Sequence, residues 1–215
     1  VYANNTGGSA TAVLTIEILE APPSSITYVP GSFTLTKGTP LGAVTVTAQG
    51  DPVDVWSISP TLPLGLVFDT TNGQLSGTPT AVSPLTTYTV TATNNGGSGT
   101  ATITIQVNDV APSSITYTPN LLELNKDTLM TTNTPTNQGG DVDTWSISPT
   151  LPDGLVFDTS TGSISGTPTD VTTQATYTVT GTNTGGSATA TVTIVVNDAA
   201  PTSIVYSPSS FTLTL

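Results

Sequence analysis

The feature that most constrains this chain is an internal repeat with a fixed step. Trp56 recurs as Trp145, Tyr88 as Tyr177, and Ile26 as Ile115 and again as Ile204. Gly7-Gly8 recurs as Gly96-Gly97 and Gly185-Gly186, and every one of these offsets is 89 residues. Residues 21–109 align with 110–198 without a gap, and 55 of the 89 positions are identical. A unit of this length is large enough to hold its own core, so two complete modules are expected. Residues 1–20 match the closing strands of a preceding module and residues 199–215 the opening strands of a following one. The sequence therefore reads as a crop from a longer tandem array. Completion of these two leftovers by one another between subunits is the other reading, but together they fall well short of a module.

Within each module the polar–apolar pattern has period two. Val90-Thr91-Ala92-Thr93, Thr102-Ile103-Thr104-Ile105 and Ala190-Thr191-Val192-Thr193-Ile194 all alternate. Thr and Val are β-branched and suit a pleated surface with one buried and one wet face. Threonine supplies 48 of the 215 residues, so neutral hydroxyls rather than ions solubilise the outer face. Strands are expected at Ile26–Tyr28, Phe33–Thr36, Val44–Ala48 and Val55–Ser59. A short hairpin follows across Leu66–Ser76, then the pair Thr87–Thr93 and Thr100–Val107, joined by the turn Asn94-Asn95-Gly96-Gly97. About seven strands in such a module, with no credible helix, predict an all-β immunoglobulin-like sandwich with Trp56 in its core. An odd strand count sends the chain in at one pole and out at the other, which strings tandem copies into a rod.

Charge narrows the function. There are 2 basic and 14 acidic side chains, no His and no Cys, for a formal net charge of −12. Such a chain cannot neutralise phosphates, which argues against nucleic acid and anionic membrane surfaces as partners. It has no thiol, no imidazole and no disulfide, and no apolar run long enough to insert in a membrane. A structural or binding protein is expected rather than an enzyme.

One stretch resembles a known family. Gly65-Leu66-Val67-Phe68-Asp69-Thr70-Thr71-Asn72-Gly73-Gln74-Leu75-Ser76-Gly77-Thr78-Pro79-Thr80 is similar to the signature of immunoglobulin-like, dystroglycan-type cadherin-like repeats. The second copy, Gly154 to Thr169, matches it more closely, and Tyr88–Asn94 and Tyr177–Asn183 fit the family's closing segment. Such repeats occur in tandem in large bacterial and archaeal surface proteins. The resemblance implies surface display, a stalk or adhesive role and, in some members, calcium at module junctions. It implies no catalysis.

Calcium is the one cofactor the acidic residues suggest, since it takes six to eight oxygen ligands. A carboxylate recurs at each module boundary, as Glu20, Asp109 and Asp198. In an immunoglobulin topology, the loops beside the linker carry Asp51, Asp54 and Asn94 for Glu20, and Asp141, Asp143 and Asn183 for Asp109. The candidate metal ligands are therefore Glu20, Asp51, Asp54, Asp109, Asp141 and Asp143. The competing reading is that these acids solvate loops and cap turns, as Asp69 and Asp158 are expected to do in the signature turn. Lys37 and Lys126 share strand parity with Leu35 and Leu124, which leaves two readings: a core-facing lysine able to form an isopeptide, or a strand-end lysine reaching water. Trp56, Trp145, Tyr88 and Tyr177 are expected in the core rather than on a sugar platform. Asn4-Asn5-Thr6 is a glycosylation sequon not repeated in the equivalent hairpins.

Taken together, the sequence predicts a stalk or fibre segment of an extracellular, cell-surface repeat protein. Its partners are the neighbouring modules. A filament built by lateral packing or strand complementation between copies is the first alternative, and a module binding surface glycans is the second.

Overall fold

A computed structural model describes residues 1–201, 203–205, 207, 210, 212 and 213. The described chain contains strands and no helix. It divides into two compact units, Val1–Asn108 and Asp109–Leu215.

The first unit opens with a hairpin of β1 (Tyr2–Asn5) and β2 (Gly8–Thr11). A complete module follows: β3 (Ser24–Tyr28), β4 (Ser32–Thr36), β5 (Leu41–Val44), β6 (Val46–Gln49), β7 (Val55–Ser59), β8 (Leu66–Phe68), β9 (Leu75–Gly77), β10 (Ser83–Asn94) and β11 (Gly97–Asn108). Its main sheet has the order β4-β11-β10-β7, with β4 parallel to β11 and the other pairs antiparallel. The remaining strands form β5-β9-β8 and β3-β6. The strand expected at Val44–Ala48 is divided at Thr45, because β5 bonds to β9 whereas β6 bonds to β3. Period-two patterning cannot register such a change of partner, since the alternation continues through it.

The second unit holds β12 (Leu121–Asn125), β13 (Thr144–Ser148), β14 (Leu155–Phe157), β15 (Ile164–Gly166), β16 (Thr172–Asn183) and β17 (Gly186–Asn197). The main sheet β12-β17-β16-β13 reproduces that of the first module pair for pair. Here the counterparts of β3, β5 and β6 shrink to single bridges, Thr116 with Thr136 and Asn133 with Ile164. Pro135 stands where the first module has Val46, and proline has no N–H to give a ladder.

Each module closes over its own core. In the first, Phe33, Trp56, Leu75, Tyr88, Val90, Ile103, Ile105 and Val107 are buried together. In the second, Leu122, Trp145, Ile164, Tyr177, Val179, Val192, Ile194 and Val196 do the same. The residues between them on the long strands are exposed, as Thr89, Thr93, Thr178 and Thr182 are, or half-buried, as Thr91, Thr104, Thr180 and Thr193 are. The alternation thus separates the two faces as expected. The first hairpin differs, because β2 stops at Thr11 whereas the equivalent β11 continues to Asn108 alongside β4. Leu14, Ile16 and Ile18, which correspond to the buried Ile103, Ile105 and Val107, are 67%, 73% and 88% exposed. The opening strands expected in 199–215 fall in part outside the described residues.

Candidate functional site

Two places gather the residues singled out from the sequence: the pole where each module receives the chain, and the signature hairpin.

At the pole of the first module the organising group is an amide. Asn94 ends β10 with its side chain buried, and its Oδ1 accepts the Gly96 N–H at 3.0 Å. That bond fixes the orientation of the amide, so Nδ2 points away and donates to the Ala21 carbonyl at 2.9 Å and the Pro52 carbonyl at 3.4 Å. Asn183 repeats the arrangement with tighter contacts, to Val110 at 2.7 Å and Asp141 at 2.8 Å, while its Oδ1 accepts from Gly185. One buried amide thus ties the incoming chain, the loop before the Trp strand and the last hairpin together.

The neighbouring turn residues complete the clamp. Asn95 Oδ1 accepts the Glu20 N–H at 2.9 Å, and Thr184 Oγ1 accepts the Asp109 N–H at the same distance. The chain passes so close that only glycine fits beside it. A Cβ on Gly96 would lie 1.8 Å from the Glu20 carbonyl oxygen, and one on Gly185 would lie 2.1 Å from that of Asp109.

The acidic residues take several roles here. Asp51 Oδ2 accepts the Ala21 N–H at 2.7 Å, which is capping. Its counterpart in the second module is Gly140, whose own N–H donates to Ala111 at 3.1 Å. Asp54 and Asp143 extend the sheet through their main-chain N–H groups, to Thr93 and Thr182, and both are exposed. Asp141 offers its carbonyl to Asn183 and is exposed. Glu20 keeps one oxygen, Oε2, buried without a donor. Among the described residues no three carboxylates come together in a way that would hold a metal ion. The two carbonyl oxygens that converge at each pole already accept from the asparagine amide. The donor set does not fit a calcium cage.

The signature hairpin is a brace. Gly73 lies beneath the Trp56 indole at a φ of +72°, and a Cβ there would come within 2.8 Å of the ring. Gly162 lies beneath Trp145 in the same way, at 2.7 Å. The buried Tyr28 hydroxyl donates to the Gly73 carbonyl at 2.6 Å, and Tyr117 donates to Gly162. Burial pushes the Tyr28 phenol up to about 12 and raises that of Tyr117 as well, so both stay protonated as donors. Asp69 Oδ1 accepts from the Thr71 hydroxyl and N–H, and Asp158 accepts from the Ser160 hydroxyl and N–H and from the Thr161 hydroxyl. These donors hold both carboxyls below the usual range, Asp158 at about 2. Turn capping, as expected from the sequence, is what these two acids do.

The other expectations resolve simply. Trp56, Trp145, Tyr88 and Tyr177 are core residues, so their rings offer no sugar platform. Lys37 is exposed and Lys126 half-buried, each one residue beyond its strand with its N–H bonded to Asn108 or Asn197. Lys37 therefore does not aim into the core. The role of Asn94 and Asn183 as clamps, and the tyrosine brace, do not follow from composition or alternation. The available signal was the recurrence of each at the same place in both modules.

Comparison with known proteins agrees with this architecture. The family described as "Putative Ig domain" matches residues 22–108 and again residues 111–197. Among solved structures, extracellular domains 3–5 of Drosophila OTK share 22% identity at a TM-score of 0.45, covering 80% of this chain and 62% of that one. The N-terminal eight Ig domains of Down Syndrome Cell Adhesion Molecule share 18% at 0.49, covering 86% of this chain and 28% of that one. Titin domains z1z2, solved with telethonin, share 17% at 0.40, covering 81% and 98%. No curated protein matches the sequence. The chain carries two consecutive domains of the "Putative Ig domain" family and belongs to it.

Proposed function

We propose that this chain is a spacer: a segment of an extracellular repeat array that holds another part of the same protein away from the cell surface. The observation that carries the reading is how the chain enters each module. Asn108 is the last residue of β11 and accepts the Lys37 N–H, while the next residue, Asp109, already donates to Thr184. No free linker residue remains between the last bond of one module and the first bond of the next. Ala21 and Val110 are each held by a buried amide, and Pro112 further restricts the segment. In an array in which each repeat contacts only its neighbours, length grows with copy number.

Neutral threonine faces and the lack of thiols suit an oxidising exterior, where a cysteine-free chain is indifferent to redox state. Small-angle scattering tests the proposal. The maximum dimension of this chain is compared with that of longer chains in which residues 110–198 are duplicated once and twice. Equal increments per copy are expected. Increments that shrink with copy number, as for a flexible string, would overturn it.

A further inference from the structure

The two modules are unequally alike. Over residues 31–46 and 120–135 only 4 of 16 positions are identical, against 51 of the remaining 73. In the second module this divergent stretch lines a cleft of about 470 Å3, with β12 as one wall and Thr128–Asn133 as the other. Phe33 is replaced there by the smaller Leu122, which withdraws a ring from the wall. Ser32 and Pro40 are replaced by Leu121 and Leu129, which are 42% and 75% exposed. Asn133 replaces Val44, is buried, and holds the Pro119 carbonyl at the end of the cleft at 2.8 Å.

β12 is the edge strand of its sheet. Thr193 N–H donates to the Asn120 carbonyl and Lys126 N–H to that of Asn197, and the parallel register between them is unbroken. In a parallel ladder these bonds fall on every second residue, here the even-numbered ones. The main-chain groups of Leu121 and Glu123 therefore point out of the sheet along the cleft. An unpaired edge beside a slot that mixes apolar side chains (Leu121, Leu122, Met130) with threonine and asparagine is the arrangement that accepts an added strand.

We propose that this cleft is a docking slot for an extended peptide strand from a partner protein, added along β12. One face of the added strand enters between Leu122 and Met130. Its other face lies beside Leu121 and Glu123, and on that face the partner carries an apolar side chain and, next to Glu123, a lysine or arginine. Charge complementarity favours such a partner over a second copy, since each copy carries −12. The first module, with Phe33, Thr34 and Pro40 at the corresponding places, serves as the internal control.

The test is a nuclear magnetic resonance titration of the whole chain. The probes are two blocked synthetic peptides that alternate valine and threonine, one with a central lysine and one with a central glutamate. The lysine peptide is expected to shift the amides of 121–125 and 128–133 and leave β4 unmoved, binding about tenfold tighter than the glutamate peptide. Leu122→Phe, which restores the first module's residue, is expected to weaken binding about tenfold, and Leu129→Pro, restoring another, to weaken it as well. Preserved signal dispersion in either variant shows that the fold is intact. Three results would overturn the proposal: no shift at millimolar peptide, equal shifts along β4, or cleft shifts that follow protein concentration without peptide. The first would leave Glu123 as a charge that guards the edge, and the last would make a second copy the occupant.

Discussion

The two complete modules have the same interior and different edges. Trp, Tyr and the signature glycines occupy the same places in both, with the same close contact between glycine and indole. The edge facing the open side of the sandwich differs at most positions, and with it go the strand pairing, the packing around Phe33 or Leu122 and the cleft. The brace tolerates no change because glycine is fixed by both a positive φ and an overlying ring. The edge tolerates change because solvent lies on one side. What the repeat keeps is what folds it, and what it varies is where a module acquires properties of its own.

Breaking the shared part should give the largest effects. Trp56→Ala and Trp145→Ala each remove a buried ring and should destabilise their own module by about 3–5 kcal/mol, read as a shift of one of two calorimetric transitions. If either variant moved both transitions equally, the modules would not be independent folding units. Gly73→Ala and Gly162→Ala follow, at about 3 kcal/mol, since the added methyl meets the indole and the backbone is left-handed.

The pole clamp comes next. Asn183→Ala strips the donor from two carbonyls and should cost about 1–3 kcal/mol in denaturant unfolding. Asn94→Ala should cost less, because its second contact is long at 3.4 Å against 2.8 Å for Asn183. Equal losses would mean that the amide–carbonyl distances do not govern the clamp.

The smallest effect is on acid stability. The folded state holds Asp158 at about 2, below its ordinary value near 3.8, because hydroxyl and N–H donors face the carboxylate. Asp69 is shifted in the same direction. A lowered folded-state value means that the stabilisation is complete above the unfolded value and is lost as pH falls toward about 2. The melting temperature of the second module should therefore drop between about pH 4 and pH 2, with a shallower drop in Asp158→Asn. Added calcium should leave both transitions in place, because no three carboxylates gather among the described residues. A calcium-dependent rise abolished by combining Asp109→Ala with Asp141→Ala would restore the junction-metal reading.

Much of this was legible from the residues. The step between Trp56 and Trp145 marks the modules, alternation marks the buried faces, and the signature turn marks Asp69 as a cap. The pole was legible only as a place. Acidic residues recur there, yet the central group is an asparagine whose carbonyl partner lies 73 residues away in sequence. Periodicity carries no information about such a pairing. The change of sheet at Thr45 was hidden for a related reason, since a strand that switches partners keeps its alternation. The cleft beside β12 is built from the stretch in which the two copies diverge, but alternation along one strand says nothing of the space left between two walls.

The central claim is that the chain enters each module clamped rather than hinged. Because the sequence has no cysteine, labels can be placed at will. The direct measurement is the distance distribution between spin labels at Thr89→Cys and Thr178→Cys, exposed and equivalent positions in the two modules. The account predicts one narrow distribution that broadens in Asn183→Ala. A broad distribution in the parent chain, unchanged by that substitution, would contradict it.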